Sequence, residues 1–116
     1  MPELHNNIPI FAKTYDLYRS FYSYLPSFPK KDRYTLGQKC ELLLLDVIED
    51  IITASATPKQ AKLPILKKLS IEVDLLKVLF RLGKDLRIID DKKYLVLEEK
   101  LQEIGRMLGG WIRTHA

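Results

Sequence analysis

Residues 94–111 read YLVLEEKLQEIGRMLGGW, and this stretch decides the fold. Tyr94, Leu97, Leu101, Ile104, Leu108 and Trp111 recur at steps of three and four without a miss. That spacing lines side chains along one face of an α-helix, and over this length it makes a heptad-like seam. Asp90 or Asp91 is placed to cap the helix, which is expected over 91–113. Gly105, Gly109 and Gly110 fall inside it, each costing up to about 1 kcal/mol relative to alanine. Trp111 and Ile112 continue the apolar period, so the helix is expected to continue past the glycines. Gly105 and Gly109 lie one above the other and would admit a close helix, within the bundle or from another subunit.

The same period extends outward. In segment 8–25, Phe11, Tyr15, Tyr18, Tyr22 and Leu25 step by four, three, four and three. Leu17, Phe21 and Tyr24 widen that stripe, which predicts a second packing surface. Pro9 suits a first helical turn, and Pro26 and Pro29 end the segment. In segment 32–55, Leu36, Cys40, Leu43, Leu44, Val47, Ile48, Ile51 and Ile52 form one face. Thr35 and Gln38 have capping-box spacing. Thr57 and Gln60 repeat it before segment 58–88, with Pro58 at the first helical position. There Leu66, Leu69, Val73, Leu76 and Phe80 trace one stripe, and Ile71, Leu75, Val78 and Leu82 a second. Pro64 removes a hydrogen bond if the helix has already begun. The continuing charge pattern favours a kink there over a start near Leu63.

Four helices without a strand signal predict an all-α, antiparallel up-down-up-down four-helix bundle, one domain over residues 1–116. Hydrophobic residues at 47% and charged residues at 29% exclude wholesale disorder. The longest apolar run, Leu42–Leu45, is far short of the ~18 residues of a membrane span. Without a basic, apolar leader and with the single Cys40, the expected location is the cytoplasm.

The net charge of +4 hides a segregation. Residues 29–39 sum to +3, residues 40–56 to −4 and residues 57–87 to +5, between neutral ends. Lys77, Arg81 and Lys84 follow i, i+4, i+7 on one face of the third helix, with Arg87 beside them. A solvated face accounts for such bases, helped by the helix dipole at the C-terminal turns. A stripe that neutralises phosphates is the functional alternative, second to the solvated face on charge alone. An acidic protein partner is the third alternative.

Catalytic chemistry finds little footing. His5 and His115 sit near the termini with no ligand at metal spacing. Cys40 falls on the apolar stripe of the second helix. Glu98, Glu99 and Glu103 are spaced as a solvated side, and no phosphate loop or dinucleotide fingerprint occurs. The reading is therefore non-enzymatic, with no cofactor and no metal.

Three blocks, FPKKDRYTLGQK at 28–39, RLGKDL at 81–86 and EIGRMLGGWI at 103–112, resemble in order those of the accessory variability determinant (Avd-like) family. Its members are small four-helix-bundle proteins of bacterial diversity-generating retroelements. The 23S ribosomal RNA intervening-sequence proteins resemble it in fold as a sister group. The resemblance implies a ring-shaped homopentamer with a basic surface that binds RNA or DNA. It also implies partnership with a retroelement reverse transcriptase during mutagenic copying. On that basis Arg81 and Lys84, inside a block, are the first candidates for nucleic-acid or polymerase contact, followed by Arg33 and Lys39. Lys77 and Arg87 rest on charge. Gly105, Gly109, Tyr18 and Phe21 are the candidate oligomer contacts. The alternative is a structural or protein-interaction bundle of the intervening-sequence type with no nucleic-acid role.

Overall fold

A computed structural model describes residues 8–115; His5, weighed above as a metal ligand, lies outside them. Helix α1 (Pro9–Tyr24) opens on its proline, whose missing N–H has no intrahelical partner to lose. Its buried face is Ile10, Phe11, Thr14, Leu17 and Phe21. The tyrosine stripe is displaced outward, with Tyr15 44% and Tyr22 62% exposed. Both stripes have the helical period. The phenol decides between them, because a buried hydroxyl needs a partner whereas Leu17 and Phe21 do not. Tyr18, at the boundary, donates its hydroxyl to Glu41 Oε2 at 3.0 Å.

A 3-10 turn (Leu25–Ser27), one α-helical turn (Lys30–Asp32) and a π-helical turn (Arg33–Gly37) lead into α2 (Gln38–Ala56). The capping box expected at Thr35 does not form. The chain is already helical there, and Thr35 Oγ1 donates back to Lys31 O at 3.1 Å. Gly37 is required by space: a Cβ would stand 2.9 Å from Leu25 Cδ2 and 3.1 Å from the backbone oxygen of Asp32. On α2, Cys40, Leu43, Leu44, Val47, Ile51 and Ala54 are buried. Burial pushes the Cys40 thiol up to about 12, so at neutral pH it is a packed apolar group and not a nucleophile.

The second expected capping box also fails. Thr57 Oγ1 donates to Thr53 O at 2.6 Å, closing α2 instead of opening the next helix. After a 3-10 turn (Lys59–Ala61), α3 spans Leu63–Asp85. Pro64 lies in its first turn, where no hydrogen bond is lost, so the kink favoured from the sequence is replaced by a helix start. Leu66, Leu69, Val73, Leu76 and Phe80 are buried as expected. The helix ends three residues early because Arg87 adopts a left-handed φ of 60°. Behind it the N–H groups of Ile88 and Ile89 reach back to Gly83 O at 2.9 and 3.1 Å. A Cβ on Gly83 would meet Ile89 Cδ1 at 2.8 Å, so this glycine lets the returning chain lie against α3.

Helix α4 (Asp91–Arg113) is capped by Asp90, whose side chain accepts from Lys93 N at 2.8 Å. It continues through all three glycines, with Leu97, Leu101, Ile104 and Leu108 buried. The four helices surround one apolar core, α1 and α3 each packing on both α2 and α4. At its centre Phe21 stacks on Phe80 (centroids 5.8 Å apart, planes at 22°) and meets Phe28 edge-on at 5.8 Å. Lys13 pairs with Glu103 at 3.3 Å, Lys100 pairs with Asp16, and Lys93 Nζ donates to Ser27 Oγ at 3.2 Å, tying α4 along α1. Among the described residues no helix is long and apolar enough to cross a membrane.

Candidate nucleic-acid interface

The third helix presents Lys77, Arg81 and Lys84 on the flank that borders α4. Lys77 is half-exposed, with its ammonium 4.0 Å from Asp74 Oδ1. One turn on, the exposed Arg81 donates from Nε to Asp85 Oδ1 at 3.1 Å. Another turn on, the Lys84 ammonium lies 5.4 Å from the centre of the Tyr94 ring, a cation–π contact between α3 and α4. Tyr94 in turn donates to Glu98 Oε2 at 3.1 Å. Burial, and then the Glu98 carboxylate, raise its phenol above the ordinary value, so the ring stays neutral under the lysine. The stripe predicted from i, i+4, i+7 spacing is therefore one continuous surface. Each of its bases is held in place by a neighbour.

Arg87 extends this surface past the end of α3, exposed beside Lys84 and Asp85. Its left-handed backbone costs an L-residue roughly 1–2 kcal/mol, and glycine is the usual occupant of such a position after a helix. Arg87→Gly should therefore raise stability by about 0.5–1 kcal/mol, the relief of strain being partly offset by the extra freedom of glycine in the unfolded chain. Urea unfolding checks this. The same variant removes one cation from the surface, so a stabilised protein that binds polyanions more weakly is the expected outcome.

Arg33 and Lys39 do not belong to this array in the same way. Arg33 is engaged by its own turn, Nε donating to Phe28 O at 3.1 Å and a terminal nitrogen to Pro26 O at 2.9 Å. It closes the connection between α1 and α2. Lys39 is exposed near the start of α2. That end of the helix is near the end of α3, where Leu36 Cδ2 comes within 3.4 Å of a Cβ built on Gly83.

The glycines of α4 do not bring two backbones together inside the protein. The nearest atoms to a Cβ on Gly105 would be Lys77 Nζ at 3.6 Å, with Lys77 Cε and Val73 Cγ1 at 4.0 Å, ordinary contacts, and to one on Gly109 an Arg113 nitrogen at 3.5 Å. Instead they floor an open groove of about 430 Å³ between α3 and α4. Lys77 and Arg106 both line it, with Ser70 and Gln102. Arg106 was missed in the sequence because α4 and its flanks sum to zero charge. Its position inside the third block, between Gly105 and Gly109, was the available signal. Two further lysines are likewise placed over rings: Lys62 at 5.6 Å from Trp111 and Lys93 at 5.4 Å from Tyr24.

Phe21, a candidate subunit contact from the sequence, is fully buried and belongs to the core. Tyr18 is half-buried against Glu41. Exposed aliphatic side chains lie on the other helices: Leu42 and Leu45 on α2, Leu95 on α4, and the longest run, Ile71 (69%), Val78 (62%), Leu82 (43%) and Leu86, on α3 and just beyond it. Helix α3 is thus apolar on its inner and its outer face.

A family model described as bAvd-like matches residues 9–115. No curated protein matches the chain. With nearly its whole length covered, the chain belongs to the bAvd-like family.

Proposed function

We propose that this bAvd-like protein is a non-enzymatic accessory factor of a diversity-generating retroelement. In this reading it is cytoplasmic, binds RNA or DNA through the α3–α4 surface and partners a retroelement reverse transcriptase during mutagenic copying. The observation that carries the binding reading is the one-sided array of Lys77, Arg81, Lys84 and Arg87, joined by Arg106 across the groove. A phosphate backbone needs cations at intervals and no sequence-specific pocket, and this surface offers that chemistry. Family membership supports the retroelement setting.

The proposed assembly is a ring-shaped homopentamer of up-down-up-down bundles. Support comes from the outer apolar stripe of α3, because a helix that is apolar on two opposite faces is normally covered on both. A ring would multiply a protomer charge of +4 and focus its field. One observation favours a second reading, an interaction bundle of the intervening-sequence type: Lys77 and Arg81 each already stand beside an acid, Asp74 and Asp85.

A mobility-shift titration with single-stranded RNA separates the two. The first reading expects binding by the oligomer at 50 mM salt that weakens by about a thousandfold at 200 mM, as for a protein making some six or more phosphate contacts. An oligomer that fails to bind at low salt overturns it.

A further inference from the structure

Helix α2 is acidic and α3 basic, and one contact across their seam does not follow that simple attraction. Glu72 of α3 is only 8% exposed, and its Oε1 is buried without a hydrogen-bond partner. Opposite it on α2 is Asp50, whose Oδ2 is likewise buried without a hydrogen-bond partner and whose carboxylate acts directly on Glu72. Lys68, one turn before Glu72, is already committed to Asp50: its Nζ lies 3.1 Å from Oδ2 and donates to Oδ1 at 3.3 Å. The seam therefore holds two carboxyl groups and one ammonium. Two carboxylates cannot hydrogen-bond each other unless one of them carries a proton.

We propose that Glu72 and Asp50 share one proton across the α2–α3 seam, and that this proton latches the basic helix onto the acidic one. With Glu72 protonated, its O–H donates to the Asp50 carboxylate, which also accepts from Lys68. Within this trio one anion then faces one cation. Loss of the proton leaves a buried carboxylate facing another, and the seam must loosen or admit water to solvate it. The charged groups acting on Glu72 are Asp50 and Asp46 from α2 and Lys68 from its own helix. Burial first, then the hydrogen bond and charge of Asp50, push the Glu72 carboxyl up to about 8, with Lys68 alone opposing. The latch thus opens close to physiological pH, on the helix that carries the basic surface. It stands independently of whether that surface binds nucleic acid.

The sign of the effect follows from linkage. A carboxyl whose native pKa is about 8 against an ordinary 4.5 binds more protons in the folded than in the unfolded state between those values. Stability therefore falls as pH rises through that window and levels off above it.

The test is a carboxyl ¹³C NMR titration of the whole protein, with urea unfolding at pH 6 to 9. The Glu72 carboxyl carbon is expected to titrate near pH 8, and the wild-type urea midpoint to fall across the range. Glu72→Gln, which mimics the protonated form, should remove most of that fall. Asp50→Asn should move the Glu72 titration down by at least one pH unit, since its amide can donate to a Glu72 carboxylate. A Glu72 carbon that titrates below pH 5 in the wild type overturns the proposal without any variant. So does an unchanged pH slope in a folded Glu72→Gln, or an unmoved Glu72 titration in Asp50→Asn.

Discussion

Reversing Lys77, Arg81 and Lys84 together to glutamate is expected to lower affinity for single-stranded RNA by about a hundredfold to a thousandfold near 0.1 M salt. Each lysine or arginine that neutralises a phosphate releases a counterion on binding. With three fewer phosphates neutralised per protomer, the slope of log affinity against log salt should fall by roughly two to three units. The slope is the stronger diagnostic, because a protein that merely unfolds loses affinity at every salt without a graded change. The fold should survive the change. All three side chains lie on the outer flank of α3, and their present partners, Asp74, Asp85 and the Tyr94 ring, are at the surface or only half-buried. Circular dichroism and the urea midpoint check that directly. If the triple variant is folded and binds RNA with unchanged affinity and slope, this flank is a solvated face and the nucleic-acid reading fails here. Arg106→Glu, on the opposite wall of the groove from Lys77, should reproduce part of the loss and tie it to the groove.

Phe21→Ala should cost about 3–5 kcal/mol of stability, the range for deleting a large buried aromatic side chain. Phe21 is fully buried and bridges Phe80 on α3 and Phe28 in the α1–α2 connection, with both ring centroids at 5.8 Å. Its removal opens a cavity among these elements, and the lost aromatic pairing adds to the cost. Against a typical total of about 5–15 kcal/mol, the variant sits close to the edge of folding. Tyr22→Ala, one residue on and 62% exposed, should change stability by less than about 0.5 kcal/mol. Denaturant unfolding of the two variants makes the comparison. A Phe21→Ala protein of near wild-type stability would place Phe21 outside the core, as the sequence stripe allowed.

That contrast marks where sequence reading succeeds and where it stops. The seam from Tyr94 to Trp111 was legible because its period is unbroken and its cap, Asp90, precedes it directly. In α3 the inner stripe was read correctly for the same reason. Its outer stripe was visible as a pattern, but period alone does not say which of two apolar faces is inside. In α1 the period runs along the tyrosines and along Leu17 and Phe21 alike, and it is the hydroxyl requirement that turns Tyr15 and Tyr22 outward. Pro64 was ambiguous because a proline in the first turn and a proline at a kink look alike until the start of the helix is known. Both expected threonine caps failed because a threonine hydroxyl can also donate to the preceding turn, as Thr35 and Thr57 do. Family resemblance marked Gly37 and Gly83 within its blocks, and their role is steric room for Leu25, Asp32 O and Ile89.

Sequence alone determined that the chain is helical, that it is built from four segments, and that acid and base are separated onto consecutive helices. These follow from spacing and composition, which act locally along the chain. Only the tertiary structure decided what depends on neighbours remote in sequence. It set Arg106 across one groove from Lys77, committed Arg33 to the carbonyls of Pro26 and Phe28, and sent Phe21 inward. It also brought Glu72 against Asp50, where the acidic and basic helices meet. Electrostatic energy and burial depend on distance and on exclusion of water, and neither quantity exists until the helices are packed.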